Sequence, residues 1–348
     1  MSILKELLFW PAALIVGLLG AVGVTSHMTA ASSGPLHDAL NGALQSRYEA
    51  QFDAANPLQH TAIALFGAVK WAVFGDGTAE VVVGQEGWLF TAEEFALPPD
   101  AAARLQRNTA HVVEVARDLS ASGQLLIVLA VPDKAQIYHD KLTRHRPAAV
   151  VQRHARLVSM LQASGVIVVD AAAALQDTRQ DHDSFQRDDT HWTPQGARAV
   201  ARSLSQKLAP FDHLLTSQVV ETHYAGHQPH DGDLLSFVPT GAFRPWVGPA
   251  QSEIATFKTE VAARGGLFSD DVVNLALVGT SFSAKPDWHF AGFLKTALQT
   301  DLVNYAAQGG GPFTPMAAMR ASDDFQNQGA KVVIWEIPTR YLTTQEPT

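Results

Sequence analysis

The chain has 348 residues, no cysteine, 47% hydrophobic side chains and a formal net charge of -9. That length and apolar content suffice for one large α/β domain with additions, or for two smaller units. The acidic balance argues against a nucleic-acid-binding surface, and the missing thiols exclude disulfides, zinc-thiolate sites, a cysteine nucleophile and cysteine lipidation.

The first element in chain order is Leu7 to Val24, which contains no charged residue and follows Lys5 and Glu6. As a helix it would span about 27 Å, close to the hydrocarbon thickness of a bilayer. Residues 1–33 therefore read as a signal anchor or a signal peptide. Only the weak cleavage signal Thr29-Ala30-Ala31 follows, so an uncleaved signal anchor with the bulk of the chain outside the cytoplasm is the favoured reading. Residues 34–98 follow as a helical lead-in and a hairpin. Leu36, Leu40, Leu44 and Tyr48 recur at four-residue spacing, a second helical stretch runs over 62–74, and the strands Val81-Val82-Val83 and Trp88-Leu89-Phe90 flank a Gly-Gln-Glu-Gly turn.

Residues 99–348 alternate between helix and strand signals. Helices are expected over 101–120, 149–163, from Pro194 onward, 286–298 and 315–326. Strands are expected over 125–131, 166–170, 272–278, near Leu302 and over 331–337. Such alternation predicts an α/β fold with a mainly parallel sheet in a three-layer α/β/α sandwich. The stretch 210–270, rich in glycine and proline, reads as an irregular insertion that would shape a groove for an acceptor.

Two segments of this region carry chemistry. Asp189-Thr190-His191-Trp192 supplies an imidazole with a carboxylate two residues away, and an extended backbone would project both to one side. Thr193-Pro194 then reads as a helix N-cap and first turn, ahead of the apolar stripe Ala197, Val200, Ala201, Leu204 and Leu208. Gly279-Thr280-Ser281-Phe282-Ser283 follows a nearly continuous apolar strand, which puts Ser281 where open α/β sheets bind their ligands. A serine hydroxyl is a weak nucleophile that needs an imidazole to take its proton and a carboxylate to orient that imidazole. The Gly-x-Ser-x-Gly elbow of α/β-hydrolases is absent.

With these segments stand Gly84-Gln85-Glu86-Gly87-Trp88-Leu89-Phe90, Val131-Pro132-Asp133-Lys134 leading to Tyr138, and Trp335-Glu336-Ile337-Pro338-Thr339-Arg340-Tyr341-Leu342. Together, over roughly 36–342, the chain resembles the AlgJ/AlgX family of SGNH-hydrolase-like polysaccharide O-acetyltransferases. The resemblance implies an SGNH-like fold in which a short Asp-x-His precedes the serine, a permuted order. It implies a triad of Ser281 as nucleophile, His191 as general base and acid, and Asp189 as orienting partner. It also implies an oxyanion hole from the serine's own N–H and a later glycine, for which Gly309 and Gly310 in a Gly-Gly-Gly run are the candidates. Lys134, Tyr138 and Arg340 are candidates for the acceptor site, and Glu336 and Arg340 are expected either to form an ion pair or to brace the site from behind. The implied reaction needs no cofactor and passes through an acetyl-serine. Its acceptor is an exported polysaccharide such as alginate, and its acetyl donor a membrane-bound O-acyltransferase.

Three other readings stand beside it. The same triad would serve an acetyl esterase or deacetylase, because transfer and hydrolysis differ in whether water reaches the acyl-enzyme. A non-catalytic component of a polysaccharide synthase is the second. A metal site is the third, with Asp181, His182, Asp183, Asp188, Asp189 and His191 in one group and His223, His227 and His230 in another. Neither group has a recognisable ligand spacing, so no metal is expected.

Overall fold

The computed structural model describes residues 2–30, 37–38, 41–262 and 273–345. The chain divides into two compact units, one holding residues up to Gly75 together with Val238–Ala250, the other Asp76–Phe237 and Gln251 onward.

The smaller unit begins with α1 (Ser2–Ala30), α2 (Ala43–Ala55) and α3 (Gln59–Phe74). The lead-in is therefore helical as expected, although Leu36 and Leu40 lie outside the described residues. His27 on α1 meets the Tyr48 hydroxyl of α2 at 2.8 Å. On α3, Gly67 lies where a Cβ would come within 2.3 Å of the Pro239 carbonyl oxygen, so glycine is what lets that segment pack closely. Among the described residues no helix is long and apolar enough to cross a membrane. The expected anchor is thus not confirmed.

The larger unit opens with the expected hairpin, β1 (Val81–Val83) antiparallel to β2 (Leu89–Thr91), with Glu86 in the left-handed region of its turn. The core then follows the alternation closely. It runs through α4 (Ala101–Ala121), β3 (Leu125–Val131), α5 (Ala148–Ala163), β4 (Ile167–Asp170) and an unanticipated α6 (Ala171–Thr178) to α7 (Pro194–Leu208). Thr193 caps α7 as its spacing implied, its Oγ1 accepting from the Gly196 N–H at 3.1 Å.

The main sheet has the order β4-β3-β9-β7-β8, with β7 (Leu275–Val278), β8 (Val303–Asn304) and β9 (Val332–Pro338), and every pairing is parallel. Alternate residues of β3 feed opposite cores. Ile127, Leu129 and Val131 pack with Ala197, Val200 and Leu204 of α7, whereas Leu126, Val128 and Ala130 pack with Val112 and Val115 of α4 and Leu157 of α5. Both faces are covered, which is why these strands read as unbroken apolar runs. The three-layer parallel sandwich is observed.

Several details differ from expectation. The expected insertion is irregular only in part: β5 (Val220–His230) and β6 (Ser252–Val261) pair as long antiparallel strands, while the stretch between them is made of short helical turns and loops. Gly226 falls at a bulge with φ 124°, and Pro229 sits in a two-stranded ribbon where it disturbs little pairing, so both breakers are accommodated. The expected helix over 286–298 is interrupted at His289, whose φ is 53°, leaving α8 (Phe290–Leu298). Ser322 divides the next helix into α9 (Phe313–Ala321) and α10 (Asp323–Gln328) by capping the second.

Candidate active site

β7 delivers the serine. Its residues are fully buried, and Gly279 follows where a Cβ would lie 2.5 Å from Glu336 Oε2 and 2.8 Å from Glu336 Cβ, so only glycine fits. Thr280 then caps a single helical turn, Ser281–Ala284. Glu336 on the neighbouring β9 clamps this turn from below. It accepts from the Thr280 N–H at 2.7 Å, from Thr280 Oγ1 at 3.1 Å and from Ser283 Oγ at 3.2 Å. Burial pushes the Glu336 carboxyl up to about 7, against the pull of those hydrogen bonds. Ser281 itself is half-buried. Its hydroxyl meets His191 Nε2 at 2.6 Å.

The segment carrying His191 is bent rather than extended. Asp189 Oδ1 accepts both the His191 N–H at 2.9 Å and His191 Nδ1–H at 2.6 Å, so a local Asx turn fixes the pair where strand geometry was expected. That contact leaves Nε2 as the acceptor facing the serine, the tautomer a general base requires. The ring is wedged between Trp288 (centroids 5.1 Å apart, 22° between planes) and Phe282 (4.7 Å). Asp189 is fully buried, and its second oxygen accepts from the Asp233 N–H at 2.9 Å and His230 Nε2 at 3.2 Å. Burial opposes ionisation of Asp189, yet the hydrogen bonds from His191 and His230 outweigh it and hold the carboxyl well below the usual range. A carboxylate charged at neutral pH stands ready to offset an imidazolium.

The other expected site residues lie elsewhere. Lys134 and Tyr138, expected at the acceptor site, are each 1% exposed. The Lys134 ammonium donates to the carbonyl oxygens of Leu89 (2.6 Å), Arg187 (3.0 Å) and Asp189 (2.9 Å), which uses all three of its protons on backbone. Burial draws its pKa down to about 8, with Glu94 and Asp189 pulling the other way. Tyr138 stacks on Trp88 at 3.9 Å and accepts the Ser184 N–H at 2.8 Å. Arg340 is buried as well, and it donates to Glu93 rather than to Glu336, so the expected ion pair is replaced by two separate contacts. These side chains brace the loops behind the relay.

Gly309 and Gly310 are exposed in the loop after β8. That loop is tied to the strand leading to Ser281 by the Ala307 N–H, which donates to the Gly279 carbonyl at 3.1 Å. Among the described residues no hydrogen bond takes the Ser281 N–H. Of the titratable clusters, Asp189, His191 and Asp233 bring potential ligand atoms within 4.8 Å of one another. Asp189 Oδ1 and His191 Nδ1 are spent on each other, and Asp233 Oδ1 accepts from the Thr190 N–H and hydroxyl.

Three contributors escaped sequence reasoning, Thr280, His230 and Asp233, whereas Glu336 takes the second of the two roles expected of it, bracing the site from behind. Nothing in the spacing ties His230 to Asp189, because the link depends on a hairpin hidden by its own glycines and prolines. One signal was available. Gly232 lies where a Cβ would be 2.0 Å from the Asp188 carbonyl oxygen, a glycine required by backbone crossing over the triad segment.

Comparison with known proteins shows the family and the fold. The family model for the SGNH hydrolase-like domain of the acetyltransferase AlgX matches residues 81–339. A Pseudomonas aeruginosa protein named probable alginate O-acetylase AlgJ is 35% identical over 344 residues, a match covering 94% of this chain and 87% of the relative. Among solved structures, the O-acetyltransferase domain of Pseudomonas putida AlgJ superposes with a TM-score of 0.70 at 33% identity, covering 76% of this chain and 93% of that one. Pseudomonas aeruginosa AlgX gives 0.58 at 24% identity over 76% of this chain and 67% of its own, a likeness of fold alone.

Proposed function

Because the chain belongs to the family of SGNH hydrolase-like acetyltransferases that includes AlgJ and AlgX, it is an O-acyltransferase, and we propose that it moves acetyl groups onto hydroxyls of an exported, alginate-type polysaccharide through an acetyl ester on Ser281. The observation that carries this reading is the continuous relay from Asp189 through His191 to Ser281, with both links at 2.6 Å. In the first half-reaction His191 Nε2 takes the Ser281 proton while Oγ bonds the acetyl carbon. The imidazolium then returns that proton to the departing donor group. In the second, His191 deprotonates a sugar hydroxyl, which attacks the acetyl carbon, and Ser281 leaves and is reprotonated. The free Ser281 N–H is one oxyanion donor, and Gly309 or Gly310 is our candidate for the other.

The setting we propose is the periplasmic face of the inner membrane, with α1 as the anchor and a membrane-bound O-acyltransferase as the source of acetyl groups. Support comes from the uncharged run Leu7 to Val24 within α1 and from the exposure of its Val16, Leu18 and Val24 side chains. Ser281→Ala tests the covalent step. With an acetyl-ester donor and an oligouronate acceptor, wild type should gain one acetyl group by intact mass and pass it to the sugar. The variant should lose both signals, with turnover down by about 10⁴-fold or more. Free acetate without acetylated sugar would mark an esterase and sink the transferase reading.

A further inference from the structure

The carboxylate that orients His191 has a second imidazole on it. His230, the last residue of β5, places Nε2 3.2 Å from Asp189 Oδ2, with its side chain 10% exposed and its ring edge-on to Trp288 at 5.3 Å. Trp288 is the same indole on which His191 stacks. One buried carboxylate and one buried indole therefore hold both rings. Neither face of this arrangement is a chance surface contact: the Asp233 N–H, three residues beyond His230, shares Asp189 Oδ2, and Ser252, opposite His230 on β6, donates to Asp188 Oδ2 at 2.8 Å.

We propose that His230 is a positioning residue for the transfer reaction: its Nε2–H pins the second oxygen of Asp189, so that the first oxygen stays aimed at His191 Nδ1. The inference rests on the Ser281–His191–Asp189 reading and adds a residue to it. With the Asp233 N–H alone on Oδ2, a single peptide donor resists rotation of the carboxylate about its Cβ–Cγ bond, and such a rotation turns the imidazole away from the serine. Pinned at both oxygens, by the peptide N–H of Asp233 and the ring of His230 on one and by His191 on the other, the carboxylate cannot turn. The hydrogen bond also sets how much of the Asp189 charge is left for His191. An N–H on Oδ2 drains part of it, which moderates the hold of Asp189 on the imidazolium that forms when Ser281 gives up its proton.

Every charged group facing His230 bears on its state. Asp189 and Asp188 lie on the triad segment and Asp287 on the turn before α8, and all three favour its protonated form. The hydrogen bond to Asp189 raises its pKa most, while burial works against it. Asp233 lies on its own following loop, Ser252 on the partner strand is neutral, and the cation on the Trp288 side is Lys285, 5.7 Å from that ring's centroid. Because Nε2 carries hydrogen in either state, the pin survives deprotonation.

The test uses the full-length chain with p-nitrophenyl acetate, reading the acetylation burst and steady-state kcat and KM from pH 5 to 9. His230→Phe keeps the ring's bulk without the donor, and His230→Gln keeps an N–H of similar reach without the charge. His230→Phe should lower kcat by about 10- to 100-fold, the cost of a hydrogen bond to a buried charge, with KM little changed. Its acid limb should move to higher pH, because Asp189 then holds the imidazolium more tightly. His230→Gln should restore most of the rate and the wild-type limb. A folded His230→Phe that follows wild type in rate and acid limb overturns the proposal, as does a His230→Gln equally impaired, which would reveal packing alone. Should His230→Phe not fold, His230→Ala should recover rate with added imidazole, and failure to do so in a folded protein counts as refutation. Ser281→Ala run alongside separates the two levels: full activity there removes the triad reading and this one with it.

Discussion

Lys134 shows what a single buried charge does for a catalytic loop. Its three hydrogen bonds join the hairpin strand β2, through Leu89, to the backbone at Arg187 and Asp189, and so reinforce the direct bond from the Leu89 N–H to the Arg187 carbonyl at 2.8 Å. Lys134→Met would retain the bulk of the stem but take a charged donor from three interior carbonyl oxygens, of which that of Arg187 would keep the Leu89 N–H. Denaturant melts should show a loss of about 3 kcal/mol or more, and acetylation should slow in the folded variant as Asp189 loosens. An unchanged melt would mean that water replaces the ammonium. The identity of Lys134 was plain in the sequence, but its role was not. A lysine that satisfies backbone carbonyls leaves no mark on spacing, because its partners can be any residue type. Ser281, His191 and Asp189 were readable for the opposite reason: the chemistry demands those side chains.

At the scale of elements, what could be read from the sequence was whatever depends on local periodicity. The core strands were found within a residue or so, except that β7 starts three residues later than expected, since burial on both faces makes them continuous apolar runs, and α7 was found from its cap and first-turn proline. The β5–β6 hairpin was not, since it is a two-stranded ribbon whose alternation is broken by a bulge and by polar exposure on both faces. Contacts between strands were equally hidden. Glu336 lies on β9 in register beyond the point where β7 ends, and from there it reaches the turn that carries the nucleophile. Burial pushes its carboxyl from the ordinary 4.5 up to about 7 in the fold, so between those values the native state holds a proton that the unfolded chain has lost. Stability from this group is therefore present below pH 4.5 and falls as pH rises through 7. Relative to Glu336→Gln, wild type should lose at most about 3 kcal/mol between pH 4.5 and pH 8 in chemical denaturation. A constant difference across that range would show that Glu336 is already ionised at the acid end.

For the whole molecule, the net charge of -9 means that long-range electrostatics do not draw a polyanionic glycan to the enzyme, so proximity must be supplied in another way. Fixing the catalytic unit at the membrane where the polymer emerges would do so. Removal of residues 1–33 should move the protein from the carbonate-washed membrane pellet to the soluble periplasmic fraction and leave its activity on small acetyl esters intact. Equal partitioning of the two forms would remove the anchor from the account.

The sheet order has a bearing on when the enzyme becomes competent. Asp189 and His191 precede β7 in the chain, and β7 is joined to β3 and β4 only through β9, which follows them all in sequence. Until β9 docks, the turn bearing Ser281 has neither the strand beside it nor the carboxylate beneath it. Assembly of the sheet and assembly of the nucleophile turn are thus one and the same event.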